Sequence, residues 1–301
     1  MEKEIIKLIK QKGPLTGAEI RASIDGDGLA LWRACNLSPE LLVRRVGTRY
    51  LRLDRRLQHF ARLSPSIFRE FLTYTVVGLN ADAGAVGRRA REVTSHIEDI
   101  SRGKLDLLYR LVCGLVSRIE SEWRPEHRIC FIIAGDIVHN MAHDVPRPER
   151  STGKLVVGSD MDLVVVTDNE TPESSLKRLD DAIYREKYRI LMTPSLREEI
   201  DYIVKQLERV REQMRCDDFK HMVACKILQE GTFLYGSETL FTTIKGMLRE
   251  HGVNAKLERL ERRARQFRRE AEEALLREKP DRITDESGYL FYPSEESEEF
   301  E

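Results

Sequence analysis

Residues 158–166 read GSDMDLVVV. Four aliphatic residues in a row, three of them β-branched, predict a strand buried on both faces. Side chains alternate along a strand, so Asp160 and Asp162 project to one side while Met161 points to the other. Two carboxylates then share one small volume at the strand end. Unscreened they repel, and one keeps its proton unless a cation lies between them. Hard oxygen donors favour Mg²⁺ or Mn²⁺ over zinc at such a place.

Working outward, RICFIIA at 128–134 has the texture of a second buried strand, and it ends at Gly135. DVPRPERSTG at 144–153 is a polar loop, and Arg147, Arg150 and Lys154, in the span between Gly135 and Asp160, are candidate phosphate clamps or solvated surface groups. After the strand at 161–166 the spacing predicts a helix from Pro172 to Leu191, another through Phe219 to Leu228, and a short strand TFLY. The segment REEIDYIVK at 197–205 reads two ways. Ile200, Tyr202, Ile203 and Val204 suit a strand. Leu196, Ile200, Ile203, Leu207 and Val210 are also helix-spaced, and Ser195 with Glu198 matches a capping box, so the local pattern slightly favours a helix. His139 and His143 lie four apart without an evident third ligand and read as surface residues.

A buried strand ending in glycine, IIAGD at 132–136, followed by SDMDL at 159–163, resembles the DNA polymerase β-like nucleotidyltransferase superfamily. The resemblance spans about 125–245 and includes KILQEGTFLYGS at 226–237, similar to the last helix and strand of small members. It implies an α+β fold with a small mixed sheet flanked by helices, and transfer of a nucleoside monophosphate from an NTP to a hydroxyl acceptor with release of pyrophosphate. It implies Mg²⁺ or Mn²⁺ held by Asp160, Asp162 and a third acid, and the nucleotide bound at Gly135, Asp136 and Ser159. The fold demands a strand at the third acid, which points to Asp201, with Glu199 on the same strand face as the alternative. Asp136 stands where the family carries Ser or Gly, and a carboxylate facing a triphosphate repels it. It therefore turns away, binds metal, or marks a weakened site. The 25 positions from Gly135 to Asp160 imply an inserted loop. The alternative expectation is a regulator that keeps this fold without turnover and binds nucleic acid or a protein partner.

Residues 1–55 resemble a winged-helix module: short helices around Ile5–Ile9, Thr16–Ile24 and Leu29–Cys35, then LLVRRVGTRYLRLD as a hairpin about Gly47-Thr48. Residues 1–60 carry 12 Lys+Arg against 7 Asp+Glu, a net +5, concentrated around Arg44, Arg45, Arg49 and Arg52. A basic wing suits nucleic-acid phosphates, whereas LALWRACNL at 29–37 offers only Arg33 and Asn36 to base edges. A helical connector at 56–124 follows, with a helix around Ser66–Val77 and a long one whose stripe runs Leu105, Leu108, Leu111, Val112, Leu115, Val116 and Ile119. C-terminal helices occupy 246–280. Their stripe Leu257, Leu260, Ala264, Phe267 and Ala271 is expected to bury on the core or in a homo-oligomer. Residues 281–301 form an acidic tail.

The composition, 41% hydrophobic over 301 residues, excludes disorder along the whole chain. The net charge of −1 averages the basic start with a tail holding eight acidic residues and one basic. No apolar run is long enough to span a membrane and the first residues are charged, so no membrane partner and a cytoplasmic location are expected. The five scattered cysteines lack a CxxC spacing and argue against a disulfide frame.

Overall fold

The computed structural model describes residues 1–57, 60–119, 127–149, 151–278 and 285–292. Two compact units divide it, one of residues 1–96 with the described residues from 258 onward, the other of residues 97–257. Both divisions fall inside helices. Both units mix helices and strands, so the class is α+β. The expected break at Trp123, Arg124 and Pro125, the loop residue Arg150 and most of the acidic tail lie outside the described residues.

In the first unit, α1 (Glu2–Lys12) buries Ile5, Ile6 and Ile9. Glu2 and Glu4 near its start and Lys10 and Lys12 near its end complement the helix dipole. After β1 (Leu15–Thr16), Thr16 caps α2 (Gly17–Ser23) in a capping box. Its hydroxyl accepts from Glu19 N at 3.3 Å, and its own N–H donates to Glu19 Oε2 at 2.6 Å. Thr16→Ala should therefore lower stability by about 1 kcal/mol in a urea titration, and an unchanged midpoint would deny the cap its role. Asp27 caps α3 (Gly28–Leu37) by accepting from Leu29 N and Ala30 N.

The hairpin expected over LLVRRVGTRYLRLD does not form. Both halves are strands, β2 (Leu41–Arg45) and β3 (Tyr50–Leu53), but each pairs elsewhere. β3 pairs with β4 (Ala61–Ser64), and β2 pairs with β5 (Thr75–Leu79), which follows α4 (Ile67–Thr73). The expected helix over Ser66–Val77 thus ends at Thr73, and TVVGL is the central strand of a three-stranded antiparallel sheet ordered β1-β5-β2. Its first four residues are buried, and its β-branched run gives β2 five register partners, a better match than a short ribbon with β3. Residues 56–124 consequently hold two strands as well as helices.

α5 (Ala83–Ile119) crosses from the first unit to the second. The second unit is built on a mixed sheet: β6 (Ile129–Ala134), then the small hairpin β7 (Pro146–Pro148) and β8 (Leu155–Val157), then β9 (Met161–Thr167). α6 (Glu173–Met192), β10 (Ile200–Gln206), α7 (Leu207–Gln213), α8 (Phe219–Glu230), β11 (Thr232–Gly236) and α9 (Glu238–Glu250) complete it. The sheet order is β10-β9-β6-β11, with β9 and β10 parallel and the other pairs antiparallel. On one face Phe131, Ile133, Leu163, Val165 and Ile200 pack with the buried stripe Leu108, Val112, Leu115, Val116 of α5 and with Leu179, Ile183 and Ile190 of α6. Helices α7, α8 and α9 contact β9 and β6. Every residue of β6 is buried, as its unbroken apolar run predicts.

The chain ends in α10 (Val253–Arg277) and α11 (Asp285–Phe291). Leu257, Ala264 and Ala271 of the α10 stripe are buried within the chain itself. Phe291 is 1% exposed against Trp32 and Phe68, with ring centroids 5.6 and 5.5 Å away. Among the described residues no helix is long and apolar enough to cross a membrane.

Candidate functional site

β6 runs into a tight turn at Gly135, whose φ of +71° favours glycine. Ala134 is the register partner of Asp162 on β9, and Asp162 is in turn the partner of Asp201 on β10. The segment at 200–206 is therefore a strand, and Ser195 and Glu198 cap no helix. Parallel pairing places Asp162 and Asp201 side by side on one sheet face, with Asp160 and Glu199 two residues before each of them. Gly135 lies so close to this row that a Cβ there would fall 1.8 Å from Asp162 Oδ2.

The row is attended by cations. Arg147, from β7, brings Nη2 within 3.4 Å of Asp160 Oδ2 and 2.8 Å of Glu199 Oε2, while its Nε donates to Gly158 O at 2.8 Å. The Arg147–Glu199 approach is an ion pair without hydrogen-bond alignment, and both atoms are shielded from solvent. Burial raises the Glu199 carboxyl above its ordinary value. Arg147 opposes that shift, and Asp160 and Glu149 add to it. Lys187 of α6 stands 4.0 Å from Asp201 Oδ1. Glu198 points elsewhere, to the buried Lys104 of α5, which also donates to Val157 O at 2.8 Å.

Of the alternatives open for Asp136, the structure shows a buried acceptor: Ser159 Oγ donates to Asp136 Oδ2 at 2.6 Å. Ser159 Oγ also accepts from His143 N at 3.2 Å. These two nucleotide-binding candidates therefore brace each other and the loop behind the carboxylate row. Gly158 belongs to the same brace, since its φ is +67° and a Cβ on it would meet His143 O at 1.6 Å. The long segment between Gly135 and Asp160 carries the β7–β8 hairpin. Its turn is held by Glu149, which accepts from the N–H and hydroxyl groups of Ser151 and Thr152 at 2.6–2.9 Å. Although burial acts to raise the Glu149 carboxyl, those four donors bring it down to about 2.

Sequence reading missed the group behind Gly135. Glu230, 6% exposed on its side chain at the end of α8, takes an ion pair from Lys226 and a hydrogen bond from His139 Nε2, each at 2.9 Å, and accepts a long bond from Gly135 N at 3.4 Å. Burial acts to raise the Glu230 carboxyl, but Lys226 and His139 outweigh it and hold it below its ordinary value. The available signal was a Lys and a Glu four apart in an otherwise apolar helix segment. His143 is not a surface residue, since it is buried and its Nδ1 accepts from Val145 N at 3.1 Å, and His139 is half-buried.

The expected nucleic-acid residues are in part engaged by acids of their own unit. Arg44 and Arg45 are exposed on β2, and Arg52 lies on β3 opposite Arg62. Arg49 is engaged by Glu70 at 2.7 Å and Glu272 at 2.5 Å. On α3, Arg33 donates to Glu278 O and Leu276 O, and Asn36 to Trp32 O. Tyr292 OH donates to Asp27 and accepts from Leu29 N at the start of the same helix. Only Asn36 and Leu37 of α3 are exposed.

Among the described residues, the one group of three acidic or histidine ligand atoms within 4.8 Å of one another is Asp217, Asp218 and His221. It is an exposed helix cap, with Asp218 accepting from His221 N at 2.7 Å. Asp160 and Asp162 at the start of β9 and Asp201 at the start of β10 are of the donor type a hard divalent cation takes, but no three of the acids in this row bring carboxylate oxygens within 4.8 Å of one another, and the Arg147 guanidinium stands on Asp160. No family model matches the chain, and no curated protein matches it.

Proposed function

We propose that this chain is a metal-dependent protein of the DNA polymerase β-like nucleotidyltransferase kind, transferring a nucleoside monophosphate from an NTP to a hydroxyl acceptor. The observation that carries the reading is the register Ala134–Asp162–Asp201 beside the Gly135 turn. It sets Asp160, Asp162 and Asp201 at adjacent strand ends, next to a backbone that comes close because it lacks a side chain. These carboxylates would hold Mg²⁺ or Mn²⁺, which when bound would activate the acceptor hydroxyl and neutralise the departing pyrophosphate. The chain's own contribution is position and charge. The acceptor oxygen bonds to the α-phosphorus as the bond to the pyrophosphate oxygen breaks. The helix order and the β1-β5-β2 sheet of the first unit support a winged-helix reading of that part, with β3, β4 and α4 inserted between its last two strands.

Incubating the purified chain and a lysate with α-labelled NTPs and Mn²⁺ tests this. Label is expected on an acceptor molecule, and no NTP binding by calorimetry with either Mg²⁺ or Mn²⁺ would remove the proposal. A second reading, a regulator with this fold that binds nucleotide without transfer, is favoured by Glu230. Its carboxylate takes the Gly135 N–H that a phosphate would otherwise receive. Tight NTP binding with no labelled product would select it.

A further inference from the structure

We infer that the Arg147 guanidinium is a resident counter-ion which a divalent cation must displace from Asp160 and Glu199; this rests on the nucleotidyltransferase reading of the same site. Four carboxylates, Asp160, Asp162, Asp201 and Glu199, line up along the ends of β9 and β10. Such a row is costly without positive charge, and elements outside those strands supply it, among them Arg147 of β7 and Lys187 of α6. Arg147 is the more committed. Its Nε is fixed on Gly158 O at 2.8 Å, and its Nη2 lies between Asp160 at 3.4 Å and Glu199 at 2.8 Å.

That same Nη2 lacks hydrogen-bond alignment with either acid, and Glu199 Oε2 is likewise shielded and unaligned. A guanidinium that made this row its permanent structural partner would present its planar fork to a carboxylate in two parallel bonds. Here Nε is spent on a carbonyl, and Nη2 serves two acids by charge alone. A small dication can approach both oxygens at shorter range and with twice the charge, so it competes directly with Nη2. The hairpin that carries Arg147 is anchored by the Glu149 turn, so the arginine can withdraw while the loop stays closed. Glu199 is thereby assigned as a further ligand on the Asp160 side, in addition to Asp201 beside Asp162.

The test is Mn²⁺ titration of the full chain without nucleotide, with free Mn²⁺ read by electron paramagnetic resonance. Arg147→Gln is expected to bind Mn²⁺ at least about tenfold more tightly than the parent chain, and adding Glu199→Gln to that variant should abolish the gain. Arg147→Lys keeps the charge and loses the fork, so a smaller gain of about twofold to fivefold is expected; it also serves if Arg147→Gln does not fold. Folding of each variant is checked by circular dichroism. Equal or weaker Mn²⁺ binding by the folded arginine variants overturns the inference. If those proteins still transfer label, the nucleotidyltransferase reading survives that result. A tenfold gain in Mn²⁺ affinity, in chains that bind no NTP, would support the counter-ion and overturn the transferase.

Discussion

Asp162→Asn is expected to reduce label transfer by about a thousandfold while leaving the unfolding midpoint nearly unchanged. Asp162 holds the centre of the carboxylate row, with Ala134 of β6 on one side and Asp201 of β10 on the other. Asn has the same shape and keeps the strand pairing, which runs through the backbone, but it removes one negative charge and one oxygen ligand. The charge stabilisation that a bound cation gives a phosphoryl-transfer transition state is worth several kcal/mol. Losing about 4 kcal/mol of it corresponds to about three powers of ten in rate. Gly135→Ala is the companion variant, because its Cβ would stand 1.8 Å from Asp162 Oδ2 on a backbone with φ of +71°. It should impair transfer as severely, but with a lower unfolding midpoint, since turn and carboxylate must both shift. Retention of a tenth of the parent transfer rate by folded Asp162→Asn would remove Asp162 from the site.

The sheet that carries this site was legible where composition decides the conformation. ICFIIA and LVVV have no alternative to strands buried on both faces, and the alternation at Asp160 and Asp162 follows from strand geometry alone. At Asp201 the local pattern was ambiguous for a physical reason. Strand β10 passes into helix α7 at Gln206 and Leu207 without a glycine or proline between them, so helical spacing from α7 overlaps the strand. The same lack of punctuation hid β5. Helix α4 ends at Thr73, its C-cap Tyr74 adopts φ −118° and ψ 24° without a glycine, and TVVGL follows at once. Missing that strand led directly to the wrong partner for β2. Arg147 and Glu230 gain their roles from groups distant in sequence, brought near by strand register and helix packing. Of these partners only Lys226, four residues before Glu230, is announced by local spacing.

Glu70→Ala is expected to destabilise the first unit by about 3 to 5 kcal/mol, the cost of stripping one partner from buried charges. Glu70 of α4 has a side chain only 7% exposed and lies between two arginines. Arg49 donates to it from Nε at 3.0 Å and from Nη2 at 2.7 Å, and Arg268, whose side chain is 3% exposed, pairs with it through Nη2. Glu272 accepts from the same two arginines at 2.5 and 2.8 Å, and Arg268 Nη1 donates to Pro65 O at 2.8 Å. Removing Glu70 leaves two guanidiniums facing one carboxylate in a place that water does not reach freely, and their mutual repulsion is then uncompensated. Glu70→Gln keeps the size and an acceptor but not the charge, so about half the loss is expected, in the range of hydrogen bonds to charged groups. Urea unfolding of both variants reads the difference, with Arg45→Ala as a control, because Arg45 is more than half exposed at 3.7 Å from Glu70 and should cost less than about 1 kcal/mol. A Glu70→Ala loss as small as that of Arg45→Ala would make the network a surface ornament and return Arg49 to the set of side chains free for a phosphate. The expected large loss instead accounts for the arginine at 49 without any nucleic acid: its charge holds α4 to α10.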